Sequence, residues 1–368
     1  MKALAVFPAR RAVQVVDHPE PAITSPTGVR LRMLEVGICG TDREIASFQY
    51  GTPPPGSEYL VIGHESLGEV VEAGPAVRRL RPGDLVVTMV RRPCPHAECL
   101  PCRQGRQDFC STGDFTERGI KGAHGFATEF VVDDESYMNV VPGALRDVAV
   151  LAEPLTIAEK AITQVWQVQS RLPWVAPPGS AGASAHRAVV LGAGPVGLLG
   201  AMALVRAGFA TTVYSRASGP LDKAGLVASF GASYVAAETA TVEQLAERVG
   251  NIDLVYEATG AARVSFRMME VLGSNAVFVF TGVPGRKAPI ELDADIIMRN
   301  LVLNNQVVFG TVNASRADYE AAIRDLAAFR ERWPAALQRL ITARHPLGGA
   351  TQVLLAGPGG IKDVIAIA

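Results

Sequence analysis

The chain has 368 residues, with 35 Lys and Arg against 36 Asp and Glu, a net charge of −1, and 48 % hydrophobic residues. A near-neutral chain with no block of like charge lacks the basic face of a nucleic-acid binder, and this much apolar content excludes an intrinsically disordered one. At roughly 100–200 residues per domain, the length fits two or three domains.

In chain order, Met1-Lys2-Ala3-Leu4-Ala5-Val6-Phe7 is too short an apolar stretch for a secretion signal before Pro8 and Arg10-Arg11 interrupt it, so a cytoplasmic protein is expected. Val29–Val36 alternates apolar and polar over much of its length, and Leu67–Gly74 and Asp84–Thr88 read as further strands. Gly/Pro turns separate them, so residues 1 to about 185 are expected to form a twisted, barrel-like β domain. The Pro-, Gly- and Ser-rich stretch from Arg171 to Ala185 reads as a linker or surface excursion.

From Ala188 the pattern changes. The apolar run Ala188–Ala210 has the length of a membrane helix, but Gly192, Gly194, Pro195 and Gly197 break one end and Arg206 marks the other. It reads better as a strand (Ala188–Leu191), a tight turn and a helix (Pro195–Arg206), so no membrane association is expected. Further strands at Thr211–Tyr214, Leu254–Ala258 and Ala276–Phe280, with a helix at Leu221–Phe230, complete a βαβ alternation and imply a parallel sheet. A helix at Arg316–Arg330 and a strand at Val364–Ile367 are expected to return to the first domain.

Gly192-Ala193-Gly194-Pro195-Val196-Gly197 matches G-x-G-x-x-G after a strand and at the start of a helix, the context that makes this motif a dinucleotide site. A chain preferring NAD carries Asp or Glu about 20 residues on, to hold the ribose hydroxyls. The second strand ends Val213-Tyr214-Ser215-Arg216, with no acid, and Ser215 and Arg216 suit a 2′-phosphate. NADP is therefore the expected cofactor, with NAD tolerated.

Of the five cysteines, Cys94, Cys99, Cys102 and Cys110 lie close together in a loop-forming segment. An odd total of five without a signal peptide is a poor disulfide framework, and the cluster of four reads as a structural Zn²⁺ site. His96 competes with Cys94 for the first ligand position. The lone Cys39, with His64, Glu65 and Glu153, supplies the thiolate, imidazole and carboxylate of a catalytic Zn²⁺ site that leaves a position for substrate.

Gly37-x-Cys39-Gly40-Thr41-Asp42, Gly63-His64-Glu65, the cysteine lobe and Gly192–Gly197 follow one another as in zinc-dependent medium-chain alcohol dehydrogenases, which the sequence resembles over nearly its whole length. Arg103–Cys110, Glu117–Phe126, Glu153-Pro154-Leu155 and Gly310–Asn313 are similar to the archaeal-type glucose (aldose) 1-dehydrogenase branch. The lobe departs from that pattern by two extra residues between Cys94 and Cys99.

The resemblance implies an α/β protein: a GroES-like β-barrel catalytic domain (1–185, completed by 314–368) and a doubly wound Rossmann domain (186–313). It implies oxidation of an aldose to its lactone with NADP or NAD as acceptor, and a homo-oligomer, dimer or tetramer. Cys39 and His64 would bind the catalytic zinc, Glu65 would be a ligand or its neighbour, and Glu153 an exchangeable ligand. Thr41 would relay the substrate proton, and Glu117 and Asn313, with Thr41 and Glu153, would contact the sugar. The alternatives are a zinc-dependent polyol or secondary-alcohol dehydrogenase and, from another class, a non-catalytic NADPH-binding sensor.

Overall fold

The computed structural model describes residues 1–175, 186–216, 221–285 and 289–368. It divides into two compact units: Met1–Thr156 with Asn313–Arg330 and Leu337–Ala368, and Ile157–Val312 with Glu331–Ala336.

The elements of the first unit begin with strands β1 (Lys2–Phe7), β2 (Ala12–Asp17) and β3 (Gly28–Gly37), helix α1 (Gly40–Ala46), and strands β4 (Leu60–Val61), β5 (Glu65–Ala73), β6 (Leu85–Thr88) and β7 (Arg91–Arg92). The short helix α2 (Leu100–Arg103) follows, then β8 (Thr116–Arg118), β9 (Gly122–Ala123), β10 (Phe130–Asp134) and β11 (Met138–Val140). Helix α3 (Ala152–Gln169) contains the division between the units. The second unit carries β12 (Arg187–Leu191), α4 (Pro195–Arg206), β13 (Ala210–Ser215), α5 (Lys223–Ser229), β14 (Ser233–Ala236), α6 (Val242–Val249), β15 (Leu254–Glu257), α7 (Ala262–Glu270), β16 (Val277–Phe280), α8 (Ala294–Leu303) and β17 (Val307–Gly310). The chain ends with α9 (Arg316–Arg332), α10 (Pro334–Leu340), β18 (Ile341–Pro346), α11 (Ala350–Leu355) and β19 (Lys362–Ala366).

In the first unit the main sheet runs β11-β6-β5-β3-β19-β18, with β10 also pairing β3. The last strand thus lies beside β3, with Val364 opposite Gly37. Leu31, Met33, Val36, Leu60, Ile62, Val86, Phe126 and Ile365 close one core around these strands. This arrangement delivers the ends of β3, β5 and β19 to one place, where the candidate site forms.

The second unit is a six-stranded, all-parallel sheet of order β14-β13-β12-β15-β16-β17. Connections reverse direction at β12, which creates the switch-point crevice typical of dinucleotide sites. The apolar run from Ala188 is β12, a glycine turn and α4, whose residues Gly197–Leu204 are buried. Close packing explains their small size: a Cβ on Gly200 would lie 2.4 Å from the Tyr256 ring. Among the described residues no helix is long and apolar enough to cross a membrane.

The division between the units differs from the expected boundary at 185. Most of α3 belongs with the second unit, because its side chains reach that unit's turns: Gln169 Nε2 donates to the Asn275 carbonyl at 2.9 Å and Lys160 Nζ to the Val312 carbonyl at 2.9 Å. Residues 176–185 of the expected linker lie outside the described residues.

Candidate active site and metal centres

Cys39 leaves β3 in extended conformation (φ −101°, ψ 166°) as the residue before α1. Three residues on, Asp42 folds back and accepts the Cys39 N–H at 2.8 Å, a helix-start arrangement encoded by an acid at this spacing. The other Asp42 oxygen accepts the Gly63 N–H at 3.2 Å and lies 3.3 Å from His64 Nδ1. One buried carboxylate therefore joins the cysteine-bearing and histidine-bearing segments and orients the imidazole, as carboxylates behind metal-binding histidines do. Burial opposes charge on His64, but Asp42 and the Cys39 sulfur outweigh it and hold the imidazole well above its ordinary value.

Cys39, His64 and Glu65 present one ligand atom each within 4.8 Å of one another. Glu65 is fully buried, and both its oxygens face Lys362 Nζ, at 2.7 and 2.6 Å. Lys362 also donates to the Ile38 carbonyl at 3.1 Å. The carboxylate reaches this position across Gly37, where a Cβ would lie 2.0 Å from Glu65 Oε2. Cys39, His64 and Glu65 could thus each offer a donor to an ion, with Glu65 also held by its lysine partner.

Glu153 lies in the first turn of α3 and does not join the three mutually close ligand atoms. Burial pushes its carboxyl up to about 7, with Glu65 and Asp42 adding and His64 and Lys362 opposing, so it lies in the field of the same cluster. Thr41 is in α1, two residues past Cys39, and half-buried. Asp42 and Lys362 contact the candidate ligands, and sequence reasoning did not assign them. The capping spacing of Asp42 was a usable signal, whereas Lys362 had none.

Glu117, on β8, is 6 % exposed. Its Oε1 accepts from Arg91 Nε at 3.1 Å, Arg91 Nη2 at 3.0 Å and Asn313 Nδ2 at 3.0 Å. Asn313 adopts positive φ (60°), a conformation asparagine tolerates better than most residues, and its Oδ1 accepts the Ala314 N–H at 2.9 Å. The structure therefore joins the two residues expected at the sugar and adds Arg91.

The second group that could hold a metal ion is Cys94, Cys99, Cys102 and Cys110, with all four sulfurs within 4.8 Å of one another. Backbone and hydroxyl donors from Cys102 and Ser111 pull the Cys99 thiol down to about 5. Burial, followed by its thiol neighbours, pushes Cys102 up to about 12. Such a closed set of four sulfurs matches a tetrahedral structural zinc site. His96 stands outside the group, its Nε2 2.5 Å from Asp114 Oδ2.

In the second unit, Gly192 has positive φ (104°), and a Cβ on Gly197 would lie 2.2 Å from the Gly192 carbonyl oxygen. These two glycines are required by the turn itself. A Cβ on Gly194, immediately before Pro195, would meet nothing within 4 Å, so the protein's own packing does not require glycine there. The open space at this helix N-terminus fits the close approach of a pyrophosphate. Val196 continues the first turn of α4. Ser215 ends β13, Arg216 is exposed, and the first acid after them is Asp222, the residue before α5. Lys223 is lowered by burial and then by the charge of Arg216, so two cations share this corner.

Residues 25–143 match the family described as Alcohol dehydrogenase GroES-like domain, and residues 146–367 match Glucose dehydrogenase C-terminus. A glucose 1-dehydrogenase of Methanocella arvoryzae is 38 % identical over 370 residues, covering 100 % of this chain and 99 % of that protein. One of Metallosphaera sedula is 39 % identical over 369 residues, covering 99 % and 98 %. The structure of Haloferax mediterranei glucose dehydrogenase in complex with NADP, Zn and gluconolactone is similar with a TM-score of 0.88 at 32 % identity, covering 100 % of this chain and 99 % of that one. The chain belongs to the zinc-dependent medium-chain alcohol dehydrogenases and, within that class, to the archaeal-type glucose 1-dehydrogenase family.

Proposed function

We propose that the protein oxidises the C1 hydroxyl of an aldose such as D-glucose to the aldonolactone, with NADP⁺ as preferred hydride acceptor and NAD⁺ as a second. The observation that carries this reading is the convergence of Cys39, His64 and Glu65 in a chain whose full-length relatives are glucose 1-dehydrogenases. The NADP, Zn and gluconolactone bound to the Haloferax enzyme support the same coenzyme, metal and product class.

In this reading Cys39 and His64 hold a catalytic zinc, with Glu65 and Glu153 as neighbouring carboxylates, and Cys94, Cys99, Cys102 and Cys110 hold a structural one. The catalytic ion, when bound, supplies the Lewis acidity that eases loss of the C1 hydroxyl proton near neutral pH. Asp42 fixes the imidazole, and Lys362 fixes Glu65. Thr41 accepts the C1 hydroxyl proton and passes it to solvent. With NADP⁺ bound, its nicotinamide would supply the hydride acceptor, so that C1 would gain its carbonyl bond as NADP⁺ became NADPH. Glu117 and Asn313 hydrogen-bond sugar hydroxyls, which discriminates against analogues lacking them. The glycine turn from Gly192 to Gly197, with Pro195 and Val196, holds the pyrophosphate, and Ser215 and Arg216 take the 2′-phosphate.

The protein is also proposed to form a homo-oligomer, dimer or tetramer. Ile296, Met298, Val302 and Leu303 on α8 are exposed, and β17 is an open edge of its sheet. A reducing compartment, the cytoplasm, suits the four free thiols of the lobe.

The test is steady-state turnover of a panel of aldoses, polyols and simple alcohols with NADP⁺ and NAD⁺. Aldose oxidation favouring NADP⁺ is expected. Polyol turnover without aldose turnover would replace this reading with a polyol dehydrogenase, and coenzyme binding without any turnover would replace it with a sensor.

A further inference from the structure

We propose that Arg91 is the residue that positions Glu117 for the sugar, an inference that rests on reading Glu117 as a sugar contact. Arg91 is 6 % exposed and lies directly opposite Glu117 in the β7–β8 pair. Its guanidinium is held on three sides. Nε and Nη2 both reach Glu117 Oε1, Nη1 donates to the Asp108 carbonyl at 3.2 Å, and the group lies 3.7 Å over the Phe115 ring. The Arg91 backbone is held in turn, since Gln107 Nε2 donates to its carbonyl at 3.4 Å.

The consequence for Glu117 is asymmetric. Oε1 takes three donors, two from Arg91 and one from Asn313, while no described residue donates to Oε2. A carboxylate with one oxygen saturated has its rotation fixed, and its other oxygen is left as an acceptor in a residue almost removed from water. Oε2 keeps access to solvent, so it stands open to a hydroxyl donor, and in this reading the sugar supplies one. Lysine cannot reproduce this arrangement. It is a point charge without the planar fork that reaches Glu117 and the Asp108 carbonyl together and stacks on Phe115.

Asp108 lies between the lobe cysteines Cys102 and Cys110. The lobe's fold therefore carries the guanidinium, and through it the carboxylate.

The test is the steady-state kinetics of Arg91→Lys, Glu117→Gln and the double variant, with both substrates varied. Arg91→Lys is expected to raise KM for D-glucose about tenfold or more, leaving kcat at saturating sugar and KM for NADP⁺ within about threefold. The double variant is expected to be no worse than the weaker single variant, because both changes remove one interaction. Phe115→Leu, which loosens the guanidinium without removing a charge, is expected to raise KM for glucose about threefold and serves if Arg91→Lys does not fold.

An unchanged KM for glucose in folded variants would overturn the role of Arg91 alone. So would parallel rises in both KM values with a lower melting temperature, which mark a purely structural residue. A wild-type enzyme that oxidises no aldose would instead overturn the functional reading, and this inference with it.

Discussion

Lys362 Nζ lies 2.7 and 2.6 Å from the two oxygens of Glu65, with both side chains essentially buried. The pair joins the last strand of the chain to β5 beside Cys39 and His64. Removing one partner of a buried pair leaves a charge without compensation and costs about 3–5 kcal/mol, whereas replacing both by apolar groups costs far less. Lys362→Met is therefore expected to lower the denaturation midpoint markedly, and Lys362→Met with Glu65→Leu to regain most of the loss. Equal stability of the single variant and the wild type in a urea titration would show that Glu65 does not depend on the lysine.

The second and third glycines of the nucleotide turn should respond differently to alanine. Gly197→Ala places a Cβ 2.2 Å from the Gly192 carbonyl and should destabilise the fold, because backbone must shift. Gly194→Ala meets nothing in the protein. It should melt like the wild type while KM for NADP⁺ rises about tenfold or more, since the methyl occupies space needed by the pyrophosphate. An unaltered KM for NADP⁺ in Gly194→Ala would place the phosphates elsewhere.

His124 makes stability pH-dependent. Its Nδ1 accepts the Val61 N–H at 3.1 Å, and burial, then His18 and Arg118, lower it from 6.5 to about 4. Between these values the unfolded chain binds the extra proton and the folded one does not. Its contribution is complete above about pH 6.5 and is lost as pH falls toward about 4. His124→Gln should therefore show a shallower fall in melting temperature across that window, and an unchanged profile would count against this origin of the acid sensitivity.

In the cysteine lobe, Cys94→Ser should lose the structural ion and His96→Ala should keep it. Cys94 is one of four clustered sulfurs, while His96 is turned to Asp114. Metal content per chain after gel filtration measures both, and retention in Cys94→Ser with loss in His96→Ala would reverse the assignment.

The parts of this structure legible in the sequence are those written locally. A strand, three glycines and a helix follow one another within about a dozen residues of Ala188, and hydrophobic run length and glycine position were enough to read them. The helix expected at Arg316–Arg330 is α9, Arg316–Arg332. Cys39, His64 and Glu65 were legible as residue types with short-range neighbours, but their supports were not. Arg91 meets Glu117 only through the pairing of β7 with β8, and Lys362 meets Glu65, 297 residues away in sequence, only because β19 inserts beside β3. Strand pairing at that separation is set by the topology of the whole unit, which no local pattern encodes. Helix α3 was not read from the sequence, and polar side chains bonded to distant turns accompany most of it into the second unit.

The most direct test of the central claim is glucose-dependent NADPH formation by Cys39→Ala, with bound metal counted in the same preparation. The expected result is a loss on the order of a thousandfold in kcat and one fewer ion per chain, with the lobe ion retained and NADP⁺ still bound. Near-normal turnover, or an unchanged metal count, would contradict it.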